Sequence, residues 1–211
     1  MAEPAYMPLG TLDAATRYKL LAAAIVPRPI AWVSTRSAAG SDNLAPYSFF
    51  NMMGADPPLL VLGAMRQADG GLKDSAANLL ETGESVVNLV AEAQLEAMNA
   101  TCIDAPAGIS EAELAGIALA PARSVAPARV AGAPVAIECR LHSHVDAPPG
   151  TLILILEATA LHLEAGHFDA ERMRLDPVAM GLVGRVHGSG AYTRVAVDRV
   201  LDRPVWQGGD R

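Results

Sequence analysis

Apolar residues recur along this chain at two spacings, and the spacings divide it into short helices and longer strands. Leu12, Tyr18, Leu21 and Ile25 fall near a helical repeat, which predicts a helix over Thr11–Ile25 that Pro27 stops. Two strand-like runs follow, Ile30–Arg36 and Leu44–Met52, on either side of a small-residue turn, Ser37–Asn43, in which Gly40 and Asn43 are expected to supply positive φ. After the Asp56-Pro57-Pro58 turn, the continuous apolar run Leu59–Met65 reads as a buried strand. Lys73-Asp74-Ser75 opens a helix to about Thr82 with Gly83 as its C-cap, and Ser85–Val90 is the next strand. Glu92–Thr101 reads as helical, and Ser110 with Glu113 caps a short helix ending near Gly116.

The second half is mostly strand. Over Val135–Val145 the residues Val135, Ile137, Cys139, Leu141 and Val145 share one face, with Glu138, Arg140, His142 and His144 on a solvated or interface-facing one. Thr151–Ala165 pairs with it as a hairpin across Pro148-Pro149-Gly150. His162 and His167 read as surface or loop residues, and Asp176-Pro177 as the start of another helix. Gly181–Tyr192 reads as a Gly-rich segment leading into the tail. Six or more strands with helices between them predict an α+β fold: a six-stranded antiparallel closed or split β-barrel with peripheral helices. No βα alternation with a Gly-rich turn supports a Rossmann fold.

Composition narrows the function classes. The chain of 211 residues suits a single domain, 1–211, and 51% hydrophobic against 18% charged residues makes it a folded chain. A net charge of −7 without a Lys/Arg run argues against nucleic acid and anionic membrane as partners. The N-terminus lacks a signal-peptide pattern and apolar runs such as Leu152–Leu156 are too short for a bilayer, so a cytoplasmic location is expected. Cys102 and Cys139, outside any CxxC arrangement, are expected to be reduced, buried thiols.

Three stretches could carry chemistry. Ala45-Pro46 removes a donor inside a strand run, which belongs at an edge where backbone polar groups stay free for a flat ligand. Lys73-Asp74-Ser75 combines first-turn N–H groups, an ammonium and a hydroxyl, a set suited to phosphate; its plainer reading is an ordinary cap. The segment from Arg185 through His187 to Tyr192 joins a cation, an imidazole and an aromatic ring to flexible glycines. His142-x-His144 lacks an identifiable third ligand and Arg140 opposes a cation, so no metal site is expected. Neither a G-x-S-x-G nor a Walker A motif occurs.

The ordered set Pro27–Thr35, Asn43–Asn51, Asp56-Pro57-Pro58, Lys73-Asp74-Ser75 with Asn78, Val87-Asn88, Met98-Asn99, Glu138-Cys139 and Arg185…Gly190-Ala191-Tyr192 resembles the flavin reductase-like family of FMN-binding split barrels. The resemblance covers about residues 15–195. It implies that Trp32, Val33, Ser34 and Thr35, with Ala45, Pro46, Tyr47, Ser48 and Phe49, line the isoalloxazine and ribityl chain, partly through backbone groups. Lys73 and Ser75, near Asn78, would hold the phosphate, and Arg185 and Tyr192 would approach from the C-terminal segment. The family usually has Lys-Asp-Thr where this chain has Lys-Asp-Ser, which keeps the hydroxyl. Family members are typically homodimers with the flavin near the interface. The implied activity is an NAD(P)H:flavin oxidoreductase passing a hydride from NADH or NADPH to flavin N5, with a partner monooxygenase as one possible recipient of reduced flavin and His187 as the candidate contact to the nicotinamide. A flavoredoxin-like FMN electron carrier and a non-redox flavin-binding module are the alternatives.

Overall fold

The computed structural model describes residues 5–103, 105, 106, 108–188 and 190–206. Helix α1 (Ala14–Ala24) is capped by Asp13, whose carboxylate accepts from the Thr16 N–H. Strands β1 (Arg28–Pro29), β2 (Ala31–Arg36), β3 (Asp42–Tyr47), β4 (Phe50–Met52) and β5 (Leu59–Met65) lead to helix α2 (Asp74–Thr82). Strand β6 (Glu84–Leu89), helices α3 (Leu95–Ala100) and α4 (Glu111–Leu114) and the short strands β7 (Leu119–Ala120) and β8 (Arg129–Val130) follow. The long hairpin β9 (Val135–Ala147) and β10 (Thr151–Leu163) precedes β11 (Phe168–Asp169), β12 (Arg174–Leu175), β13 (Val183–Arg185) and β14 (Tyr192–Arg194).

The main sheet is antiparallel and runs β3-β2-β6-β9-β10-β5-β4, seven strands where six were expected. The difference lies in one run. Leu44–Met52 breaks at Ser48–Phe49 into β3 and β4, which occupy the two opposite edges of the sheet. Edges joined by two residues can lie so close only if the sheet is rolled up, so this break is the seam of the barrel. Phe49 marks the seam: its carbonyl accepts from the Gly63 N–H at 2.7 Å, and a Cβ on Gly63 would stand 3.0 Å from the Phe49 Cβ.

Strand β2 is buried on both faces. Ala31 and Val33 join Leu60, Leu62, Leu79, Val87, Leu154 and Leu156 in the barrel interior. Ile30 and Trp32 pack with Leu44, Val90, Met98, Val130 and Val183 on the outer side, beneath α3 and α4.

Several local expectations change. Gly40 does take positive φ, but Asn43 lies in β3, buried, with its amide on Ser75. Asp176 starts a single turn, not a helix: its carboxylate accepts the Val178 and Ala179 N–H groups, and Gly181 at φ +62° ends the turn. Gly181–Tyr192 contains the β13–β14 hairpin, which pairs with β1 through Arg28↔Arg185. Cys102 is exposed; Cys139 is buried as expected.

Glu138 is fully buried, not solvated, and His162 sits on β10 against it, Nε2 to Oε1 at 2.5 Å. Register shifts between β9 and β10 leave Thr159 unpaired beside Glu138 and break the strict alternation read from the sequence. No described helix is long and apolar enough to cross a membrane.

Candidate functional site

Strand β3 is a free edge, and what its outward groups meet defines the site. The Leu44 N–H is taken by Glu111 Oε2 at 3.0 Å. Pro46, the next residue on that side by alternation, has no N–H to leave unpaired. Beside this edge runs a groove in two connected parts that share Ala45, Tyr47, Lys73 and Ile103. The deeper part, ≈670 Å³, lies at the start of α2 against Asn43, Arg66, Gln67 and Ser75. The shallower part, ≈280 Å³, runs past Pro46, Ser48 and Phe49 to Tyr18, Gly63, Met65 and Cys102. Together they fall in the size range of cofactor clefts.

At the deep end, Lys73 is the N-cap of α2, in extended conformation. The Ala76 and Ala77 N–H groups bond to the Lys73 carbonyl, whereas those of Asp74 and Ser75 make no bond among the described residues. Ser75 is buried, and its Oγ accepts from Asn43 Nδ2 at 2.7 Å. Arg66 is held in place by the Gly70 carbonyl at 3.1 Å and Asp146 at 2.8 Å. Asp74 and Glu111 also line this part and set two carboxylates against the two cations. Net charge therefore does not mark an anion site here; the local arrangement of ammonium, hydroxyl and helix-start N–H groups is of the kind that can receive one.

Among the described residues, Tyr47 Oη is buried without a hydrogen-bond partner. Burial pushes the phenol up to about 12; the Ser75 hydroxyl lies near enough to temper the shift but not in bonding geometry. A sealed hydroxyl facing a cavity costs free energy unless something fills the cavity and bonds to it. This orphan atom, beside a helix start with open N–H groups and a groove walled by Ala45, Pro46 and Phe49, is compatible with a phosphorylated flat cofactor such as FMN.

The expected residues separate into three groups. Ala45, Pro46, Tyr47, Ser48, Phe49, Lys73 and Ser75 line the groove. Trp32, Val33, Ser34 and Thr35 lie under it, buried in β2, with their polar groups committed elsewhere. Trp32 Nε1 donates to Thr101 Oγ1 at 2.9 Å, Asn88 Nδ2 donates to Ser34 Oγ at 3.1 Å, and Asn78 Nδ2 donates to Thr35 Oγ1 at 3.1 Å. Asn78 thereby ties α2 to β2 and does not face the groove.

Arg185, Tyr192 and His187 form the third group, on the β13–β14 hairpin. Arg185 lies 4.7 Å from the Tyr192 ring centroid and donates to the Gly188 carbonyl at 2.9 Å. His187 is exposed at the hairpin tip and lines neither part of the groove. The hairpin approaches through Cys102: burial raises that thiol, while the charges of Arg185 and Lys73 act to lower it.

Sequence reasoning missed Asn43, Arg66, Cys102 and Arg28. Arg28 is buried, with Nη1 on the Ala22 and Ile25 carbonyls at the end of α1 and Nε on Ser48 Oγ at 3.3 Å. Its guanidinium carbon lies 5.9 Å from the Phe49 ring centroid, so it fastens the seam to α1. An Arg between two prolines was visible, but its burial depends on a helix end that only the fold brings near.

A rolled antiparallel sheet with a groove at its seam defines a split barrel of the flavin-binding kind. The chain belongs to the flavin reductase-like family, whose "Flavin reductase like domain" matches residues 23–180. A protein of Deinococcus radiodurans is 45% identical over 193 residues, 89% of this chain and 85% of that one. Among solved structures, 2-nitrobenzoate 2-nitroreductase of Pseudomonas fluorescens is 31% identical with TM-score 0.87, covering 97% of this chain and 99% of that one. Nitrilotriacetate monooxygenase component B of Bacillus cereus is 28% identical with TM-score 0.89, covering 95% and 100%.

Proposed function

We propose that this protein is an NAD(P)H:flavin oxidoreductase that holds FMN in the groove along β3. The observation that carries the reading is the orphan Tyr47 Oη, buried at the point where the α2 start and the β3 edge meet. In this reading Lys73, Ser75 and the free first-turn N–H groups take the phosphate, and Tyr47 gains the partner it lacks. Ala45, Pro46 and Phe49 wall the ring, and Arg28 keeps Phe49 in place. Bound FMN supplies hydride transfer between a nicotinamide donor and an acceptor. The protein's part is to position and to exclude water, which needs no side-chain base.

Arg185, Tyr192 and His187 are assigned to the hairpin that borders the donor's approach. Replacing His187 by Ala is expected to raise the KM for NADH or NADPH and leave FMN affinity unchanged; unchanged steady-state oxidation would remove His187 from the reading. The kinship with a monooxygenase component supports a partner oxygenase as consumer of reduced flavin, and the kinship with a nitroreductase adds nitroaromatic compounds as an acceptor class to assay.

A homodimer is part of the proposal. An apolar groove of ≈670 Å³ between α1 and the β4–β5 side, lined by Leu21, Ile25, Phe50 and Val61, shares Tyr18, Ser48, Phe49 and Met65 with the flavin groove. A second copy seated there would close the outer rim of the flavin site.

One observation favours the carrier alternative: among the described residues no imidazole lines the groove to meet a nicotinamide. Anaerobic addition of NADH, then NADPH, to the FMN-loaded protein separates the two. Bleaching by one donor supports the reductase; retained flavin that neither donor bleaches favours the carrier.

A further inference from the structure

On β8, β10 and the loop between β7 and β8 lies a polar cavity of ≈370 Å³ that shares no residue with the flavin groove. Arg123, Arg129, His162 and Glu164 line it. We propose that this cavity is a second anion site, which binds the phosphate group of a small organic phosphate.

A sealed guanidinium N–H on Arg129, with the exposed Arg123 beside it on the cavity wall, carries the argument. Among the described residues neither Arg123 nor Arg129 donates a side-chain hydrogen bond, and Arg129 Nε is sealed from solvent. A buried N–H left unpaired is costly, and here it belongs to a planar fork shaped for phosphate. The backbone that carries these cations is fastened on both sides. The Arg123 and Ser124 N–H groups donate to Glu138 at 2.7 and 2.8 Å, and the Ala126 N–H to Glu84 at 2.8 Å. The Val130 N–H, next to Arg129, donates to Asn88 Oδ1 at 2.9 Å.

The fastened loop thus holds two guanidiniums at the cavity wall, one of them with a sealed, unpaired N–H. Glu138, buried behind the wall, has its oxygens taken by the loop N–H groups, the Ser124 hydroxyl and His162. Among the lining side chains two guanidiniums face one carboxylate, Glu164, an arrangement that offers donors to an anion and disfavours a metal cation. The volume exceeds that of phosphate alone, which leaves room for the organic group it is attached to.

The test follows the His162 ring resonances by NMR while inorganic phosphate is added to the FMN-saturated protein, with sodium chloride at matched ionic strength as control. A saturable shift with phosphate and none with chloride is expected. Arg129→Met should weaken phosphate binding about tenfold or more while FMN affinity stays as in the wild type. Lys73→Ala should do the reverse, so this site and the flavin groove fail separately. No saturable shift, an equal response to chloride, or a wild-type response in Arg129→Met would overturn the proposal.

Discussion

Tyr47 is the residue where site and stability can be told apart. Its hydroxyl is buried and unpaired, so Tyr47→Phe removes a liability from the free protein and a bond from the loaded one. The urea midpoint of the flavin-free protein is therefore expected to hold or rise, while FMN affinity falls several-fold; a clear loss of stability would mean that Oη has a structural partner.

Glu138 makes a second residue-scale prediction. Burial raises its carboxyl, but bonds from the Ser124 hydroxyl, the Arg123 N–H, His162 and the Ser124 N–H outweigh burial and hold it down at about 2. A depressed carboxylate stabilises the fold above its ordinary pKa of 4.5 and loses that contribution as pH falls toward 2. Glu138→Gln should cost on the order of 3 kcal/mol at pH 7, and urea unfolding should show the gap narrow through that acid window. The start of α2 at Lys73-Asp74-Ser75 was legible because an N-cap and its first turn are local in sequence. Asn43 and Glu138 were not: their partners, Ser75 and His162, lie 32 and 24 residues away.

Among the elements, the seam between β3 and β4 governs the groove. Pro46 was readable as an edge residue because a proline has no place in a paired interior strand. The alternation of Leu44–Met52 did not show that the strand changes partners at Ser48–Phe49, since no glycine and only a lone serine marks the break. β2 differs from its expectation in a related way: Trp32–Thr35 were expected to line the ligand, and they lie in a strand paired on both sides and covered on both faces, beneath the groove. Gly63 tests the seam. A methyl group there meets the Phe49 Cβ at 3.0 Å, so Gly63→Ala should cost about 1–3 kcal/mol and weaken FMN binding together. Thermal melts and flavin titrations of that variant would separate if the seam did not shape the groove.

Across the whole molecule, the barrel was legible because strand runs, turns and the order of motifs survive without tertiary knowledge. The hairpin β13–β14 was not, since each strand is only three residues long and the hairpin joins the rest of the fold through the pairing of β13 with β1. At this scale the apolar rim formed by Tyr18, Leu21, Ile25 and Met65 predicts association. Sedimentation equilibrium should report a dimer, and Leu21→Glu should shift it toward monomer with weaker FMN retention. A wild-type monomer would remove the partner copy from the site.

The central claim is that the groove at the α2 start and the β3 edge holds FMN. It is tested most directly by titrating FMN fluorescence against the wild type and Lys73→Ala under identical buffer. The account predicts saturable quenching by the wild type and about tenfold or more weaker binding by Lys73→Ala. No saturable binding, or binding indifferent to Lys73, would contradict it.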